Sequence, residues 1–75
     1  MERYKNLGGS SGISAYEVGS DSIIVEFSDG SAYLYDYSSP GATDVEHMKS
    51  LAASGRGLNS FISREIRKRY AEKLR

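Results

Sequence analysis

The spacing of apolar residues changes once along this chain, between residues 37 and 43. Before that point, β-branched and aromatic residues gather in three short runs separated by turn residues, a pattern that is typical of strands. After it, apolar residues recur every three or four positions, which is typical of helices. A chain of 75 residues can build one hydrophobic core. The order of the two patterns therefore predicts an α+β fold, in which a three-stranded antiparallel β-meander is followed by two α-helices.

The strands are expected over residues 13–18, 23–27 and 32–37. Residues 1–11 end in Gly-Gly-Ser-Ser, which predicts a flexible N-terminal arm, and residues 12–75 are predicted to form a single domain. The chain contains no cysteine and no long apolar stretch. We therefore expect neither a disulfide framework nor a membrane span, and we expect a cytoplasmic location.

The first helix is expected to begin with a capping box, in which the Thr43 hydroxyl accepts the Glu46 amide and Glu46 reaches back. A second helix is predicted to begin near Asn59, a residue that is favoured at N-caps. Both helices carry an apolar face. In the first helix this face consists of Val45, Met48, Leu51 and Ala52, and in the second it consists of Leu58, Ile62, Ile66, Tyr70 and Leu74, widened by Phe61.

An ordered set of residues across both patterns resembles the KTSC domain, a family named for the C-terminus of some lysyl-tRNA synthetases. The resemblance rests on Ser11-Gly12-Ile13, Val25-Glu26-Phe27, Gly30, Tyr33-Leu34-Tyr35, Val45, Leu51, Ser54-Gly55, Asn59, Ile66-Arg67 and Tyr70. It implies the same small α+β fold, and it suggests RNA binding through the synthetase association. The chain departs from the family at Gly57-Leu58, where the family often has an aromatic residue before the asparagine.

The turn around Gly30 decides which way the central tyrosines point. A two-residue loop, Asp29-Gly30, would pair Phe27 with Ala32 and expose Tyr33 and Tyr35 as an aromatic platform. A three-residue loop that also includes Ser28 would pair Phe27 with Ser31 instead. Both tyrosines would then join Val25 and Ile23 on the core face. The resemblance favours the three-residue loop, because the family usually pairs Val-x-Phe with Tyr-x-Tyr.

The two parts of the chain carry opposite charge, although the net charge is zero. Up to Glu46 there are eight acidic residues against two basic ones, and from His47 onward there are eight basic residues against two acidic ones. This asymmetry indicates either an anionic partner for the C-terminal part or internal complementarity between an acidic sheet and a basic helix.

Few residues could support catalysis. Nucleophilic catalysis needs a nucleophile, a base and an orienting group, and His47 is the single histidine of a chain without cysteine. We therefore expect no catalytic residues, no metal site and no cofactor, and we interpret the chain as a binding module rather than an enzyme.

The candidate binding residues fall into two groups. The loop Ser54-Gly55-Arg56-Gly57 before Asn59 could present backbone amides to a phosphate, or it could simply join two helices with Gly55 as a left-handed cap. The spacing of three and four residues would place three further cations on one helix face, where they could follow a phosphate backbone. The predicted phosphate-binding residues are Ser54, Arg56, Asn59, Arg64, Arg67 and Lys68, and the candidate stacking residues are Tyr33 and Tyr35.

These residues predict a small non-enzymatic module that binds RNA or another phosphate-bearing nucleic acid. One alternative is a homo-oligomer that binds or sequesters a small, for example cyclic, nucleotide. Another is a protein-interaction module that uses the sheet face, where Ile24 and Leu34 would be hidden by self-association. A homo-oligomer and a monomer both remain open, and no membrane partner is expected.

Overall fold

The computed structural model describes residues 1–9 and 12–75. The fold is α+β, as predicted, but the antiparallel sheet has five strands rather than three, arranged in chain order. The strands are β1 (Glu2–Arg3), β2 (Ile13–Val18), β3 (Ser22–Phe27), β4 (Ala32–Asp36) and β5 (Glu72–Lys73). The helices are α1 (Ala42–Ser54) and α2 (Leu58–Phe61), and α2 continues into a π-helical turn over Ile62–Ile66.

The hairpin between β3 and β4 has the three-residue loop. The Phe27 amide donates to the Ser31 carbonyl at 2.8 Å, and the Gly30 amide donates to the Phe27 carbonyl at 2.9 Å. Gly30 has a φ of +93°, which glycine adopts without steric cost. This loop pairs Val25 with Tyr33, so the predicted register is confirmed and the tyrosines join the core face of the sheet.

The N-terminal residues differ from the prediction of a flexible arm. Strand β1 pairs with β2, and the side chain of Tyr4 is only 3% exposed. The Tyr4 hydroxyl accepts the Leu58 amide at 3.2 Å, and the Leu7 amide donates to the Gly55 carbonyl at 2.7 Å. Burial of a tyrosine and backbone pairing offset the entropy of ordering the segment. Ser10 and Ser11 lie outside the described residues.

The second helix ends earlier than predicted. Its apolar residues Ile62 and Ile66 are buried as expected, but the chain then leaves the helix at Arg67, which has a φ of +54°. The following residues add β5 to the free edge of β4, where the Leu74 amide donates to the Ala32 carbonyl at 2.8 Å. The free edge of β4 offers backbone N–H and C=O groups, and these groups would stay unpaired if the chain continued as a helix. Leu74 therefore stays 40% exposed instead of completing a helical seam.

Two of the three predicted helix caps are wrong. Helix α1 begins at Ala42 with Gly41 as its N-cap and has no side-chain capping bond, so the capping box at Thr43 does not form. Glycine also replaces the predicted cap of the second helix, where Gly57 precedes Leu58 in a left-handed conformation. The predicted left-handed cap at Gly55 is confirmed, with a φ of +79°.

The helices cover one face of the sheet. Ile23, Val25 and Tyr35 pack from the sheet against Val45 and Met48 of α1 and against neighbouring apolar residues of the second helix. On the other face, Ile24 and Leu34 are cross-strand partners and are partly buried. Self-association through that face stays a prediction. Within the described ranges, no helix is long and apolar enough to cross a membrane.

Candidate ligand-binding groove

A groove of about 490 Å³ opens between the β3–β4 hairpin and the segment that follows the second helix. We call it the tyrosine groove. It is lined by Gly12, Phe27, Ser28, Asp29, Ser31, Tyr33, Tyr35, Ile62, Arg67, Lys68 and Tyr70. Its size is within the range of about 300–1,000 Å³ that is usual for small-molecule sites. The groove therefore brings together both predicted stacking residues and two of the predicted phosphate-binding residues.

Aromatic rings form one wall of the groove. The Tyr33 ring lies 5.7 Å from the Phe27 ring in an edge-on arrangement and 4.6 Å from the Tyr70 ring in a tilted one. The Lys73 ammonium lies 5.9 Å from the centre of the Tyr33 ring, within cation–π distance. Tyr33 thus stands in the middle of an aromatic cluster that remains half-buried.

The hydroxyl of Tyr35 has an unusual environment. The residue is only 1% exposed, and its hydroxyl makes no hydrogen bond with any residue that the structure describes. In the same part of the chain, no fully buried polar side-chain atom lacks a partner, so this hydroxyl keeps slight solvent contact, and the residue lines the groove. Burial, with smaller contributions from Tyr33 and Tyr70, raises the pKa of Tyr35 to about 12. Tyr35 therefore offers a neutral hydroxyl to a bound molecule.

Arg67 and Lys68 supply the positive charge. Both are exposed at the groove, and neither forms an ion pair within residues 1–9 and 12–75. Arg67 follows the π-helical turn and adopts a backbone conformation that non-glycine residues rarely occupy. π-helical turns and strained residues cluster at functional sites. These features position two free cations beside the aromatic wall.

Asp29 adds a single acidic group on the hairpin side. One of its carboxylate oxygens accepts the Ser31 amide at 2.9 Å and the Ser31 hydroxyl at 2.6 Å. These two bonds lower the pKa of Asp29, the side-chain bond contributing most. The carboxylate is therefore held in place and ionised at neutral pH.

The other predicted cation of the helix, Arg64, lies elsewhere. It lines a separate hollow with His47 and Phe61, whose rings are 4.4 Å apart. The prediction that Arg64, Arg67 and Lys68 share one helix face is wrong, because the helix ends at Ile66. A continuous basic track along the helix is therefore not formed.

The residues predicted in the loop between the helices are also separate from the groove. Arg56 and Asn59 line a small polar cavity of about 170 Å³ beneath residues 4–9. The Arg56 guanidinium donates to the Leu7 carbonyl at 3.4 Å, and the Ser54 hydroxyl donates to the Leu51 carbonyl at 2.9 Å. These contacts match the interpretation of this loop as a helix connection.

Among the residues that the structure describes, three ion pairs join the acidic and basic parts of the chain. Lys49 contacts Glu46, Arg69 contacts Asp44, and Arg75 contacts Glu26. These three cations are therefore neutralised by carboxylates of the acidic part of the same chain, as the internal-complementarity alternative predicts. Five other cations of the basic part form no ion pair in the described chain, and they are Arg56, Arg64, Arg67, Lys68 and Lys73.

Two contributors to the groove were missed from the sequence. The sequence pattern indicates only a turn residue at Asp29 and a helical apolar face at Tyr70. The three-residue loop could have identified Asp29, because such a loop directs the Asp29 carboxylate towards the Ser31 amide. Among the described residues, no group of three or more His, Cys, Asp and Glu side chains could hold a metal ion.

Comparison with protein-family models, with curated proteins and with solved structures finds no match to this chain. The resemblance to the KTSC domain therefore stays a prediction.

Proposed function

We propose that this protein is a binding module for a small nucleotide and that it acts by binding alone. The observation that carries the proposal is that Arg67 and Lys68 line the same groove as Tyr33 and Tyr35. The Tyr35 hydroxyl has no hydrogen-bond partner among the described residues. Cations hold phosphate oxygens through charge-assisted hydrogen bonds. Aromatic side chains stack on bases, each worth ~1–3 kcal/mol. A tyrosine hydroxyl can donate to or accept from a base or a sugar.

The distribution of cations favours a single nucleotide unit over a long nucleic acid. An extended phosphate backbone needs several cations along one path. Here Arg64 lies at a separate hollow, and Arg56 is directed to the Leu7 carbonyl. Among the described cations, Arg67 and Lys68 line the groove, and Lys73 lies over the Tyr33 ring. The groove therefore matches one phosphate and one ring better than a strand of RNA.

RNA is the second candidate, and it would use the same groove for one unstacked base at an end or in a loop. The resemblance to the KTSC domain supports this alternative. If RNA is the ligand, a short oligoribonucleotide should bind more tightly than any mononucleotide. Its additional phosphates would reach Arg56 and Arg64, which form no ion pair in the described chain.

Isothermal titration calorimetry with a panel of mono-, di- and cyclic nucleotides and a short oligoribonucleotide tests the proposal. We expect heat with at least one small nucleotide. Lys68→Ala should weaken its binding by about tenfold, because a charge-assisted hydrogen bond is lost. Arg64→Ala is the matched control and should bind as the wild type does. The absence of heat with every nucleotide, or equal losses in the two variants, would overturn the proposal.

A further inference from the structure

The tyrosine groove is lined by groups of opposite charge that come from two different segments. Arg67 and Lys68 come from the segment after the helix, whereas Asp29 comes from the hairpin. Asp29 forms no ion pair with any residue that the structure describes, and the cation whose charge acts on it is Lys73 rather than Arg67 or Lys68. A carboxylate disfavours a phosphate on the hairpin side by like-charge repulsion. A bound nucleotide would therefore place its phosphate beside the cations and another part of the molecule beside Asp29.

The carboxylate of Asp29 is prepared to accept a hydrogen bond. Its Oδ1 atom accepts both the amide and the hydroxyl of Ser31. Its Oδ2 atom accepts no hydrogen bond from the described residues. An ionised carboxylate can only accept, so the group opposite Oδ2 has to be a donor.

We infer that Asp29 makes the groove selective for nucleotides whose base carries an amino group. This inference rests on the proposed function. The amino groups of adenine and cytosine are donors, whereas the corresponding atom of a base such as thymine is a carbonyl acceptor. A carbonyl oxygen facing Asp29 would leave two acceptors opposed and both without a donor, which is disfavoured. Selectivity then arises from one residue of the hairpin, while Arg67 and Lys68 supply affinity for the phosphate of every nucleotide.

The test compares two matched ligands by calorimetry, adenosine 5′-monophosphate and purine riboside 5′-monophosphate. The two differ only in the amino group of the base, which purine riboside lacks. We expect the amino-bearing member to bind about tenfold more tightly to the wild type, as for one charge-assisted hydrogen bond. Asp29→Asn keeps a side-chain acceptor for the Ser31 amide, and it should reduce the preference to near unity.

Asp36→Asn serves as the control, because Asp36 also accepts backbone amides in a turn but does not line the groove. It should keep the full preference. If nucleotides bind without preference for the amino group, or if Asp29→Asn keeps that preference, the role of Asp29 is overturned while the proposed function stands. If no nucleotide binds, the proposed function and this inference are both overturned.

Discussion

Tyr33 and Tyr70 place their ring centroids 4.6 Å apart, one from β4 and the other from the segment beyond the second helix. This contact holds the returning chain against the sheet and closes one side of the tyrosine groove. Because the same segment carries Arg67 and Lys68, the Tyr33–Tyr70 contact joins the aromatic and cationic parts of the groove.

Replacement of Tyr70 should therefore affect both folding and binding. We expect Tyr70→Ala to lower the free energy of unfolding by about 1–2 kcal/mol, since an aromatic pair contributes about 0.5–1.5 kcal/mol beyond its buried area. Nucleotide binding should weaken as well. Tyr70→Phe keeps the ring and is the control. Denaturant unfolding and calorimetry check these effects, and equal stability of the alanine and phenylalanine variants would contradict the role given to the ring.

The backbone of Arg67 allows a test that separates strain from charge. Its φ of +54° is costly for a residue with a side chain and is accessible to glycine. We expect Arg67→Gly to be more stable than Arg67→Ala by about 1 kcal/mol. Both variants lose the guanidinium and should bind a nucleotide equally weakly. Urea unfolding measures the difference in stability, and an alanine variant as stable as the glycine variant would argue against strain at this position.

The raised pKa of Tyr35 predicts a dependence of stability on alkaline pH. In the unfolded chain a tyrosine loses its proton near pH 10, whereas burial raises the pKa of Tyr35 to about 12 in the folded protein. Between these values the unfolded state binds fewer protons, so the free energy of unfolding falls as pH rises. Below pH 10 the contribution of this group is constant.

Tyr35→Phe should remove that part of the alkaline destabilisation. Unfolding curves recorded between about pH 10 and pH 12 would show a shallower decline for the variant than for the wild type. Phenolate absorbance gives a second readout, since the ionisation near pH 12 that belongs to Tyr35 should be missing from the variant. Identical pH profiles of the two proteins would contradict the raised pKa of Tyr35.

The packing of the N-terminal residues on the loop between the helices can be tested at two glycines. Gly55 and Gly30 both have positive φ, so alanine strains the backbone at each position. A Cβ atom at Gly55 would lie 2.7 Å from the Lys5 Cβ and 3.3 Å from the Leu7 Cγ, whereas nothing lies within 4 Å at Gly30. We expect Gly30→Ala to cost about 1 kcal/mol and Gly55→Ala about 2–3 kcal/mol in thermal or urea unfolding. Equal costs would indicate that residues 5–7 do not pack on the loop.

The parts of the fold that follow from local chemistry were predictable. The three central strands, the Gly30 loop and the Gly55 cap each depend on a few neighbouring residues whose preferences are strong. Strands β1 and β5 were not predictable, because two residues are too few to show an alternating pattern. These strands form only where the meander already offers a free edge.

The end of the second helix shows why the site was only partly predicted. Tyr70 and Leu74 continue the four-residue spacing of Ile62 and Ile66. No glycine or proline follows Leu58 in the sequence, so no residue predicts the end of the helix. Tertiary pairing with β4 overrides this helical pattern. The helical interpretation placed Arg64 beside Lys68, whereas the early end of the helix brings Lys68 to the tyrosines instead.

A two-dimensional NMR titration of the protein with a nucleotide that gives heat in calorimetry locates the binding site directly. We expect the signals of Tyr33, Tyr35, Arg67 and Lys68 to shift together and saturate with one dissociation constant, while those of His47 and Arg64 stay unchanged. Shifts centred on His47 and Arg64, or shifts spread evenly over the basic residues, would contradict a binding site in the tyrosine groove.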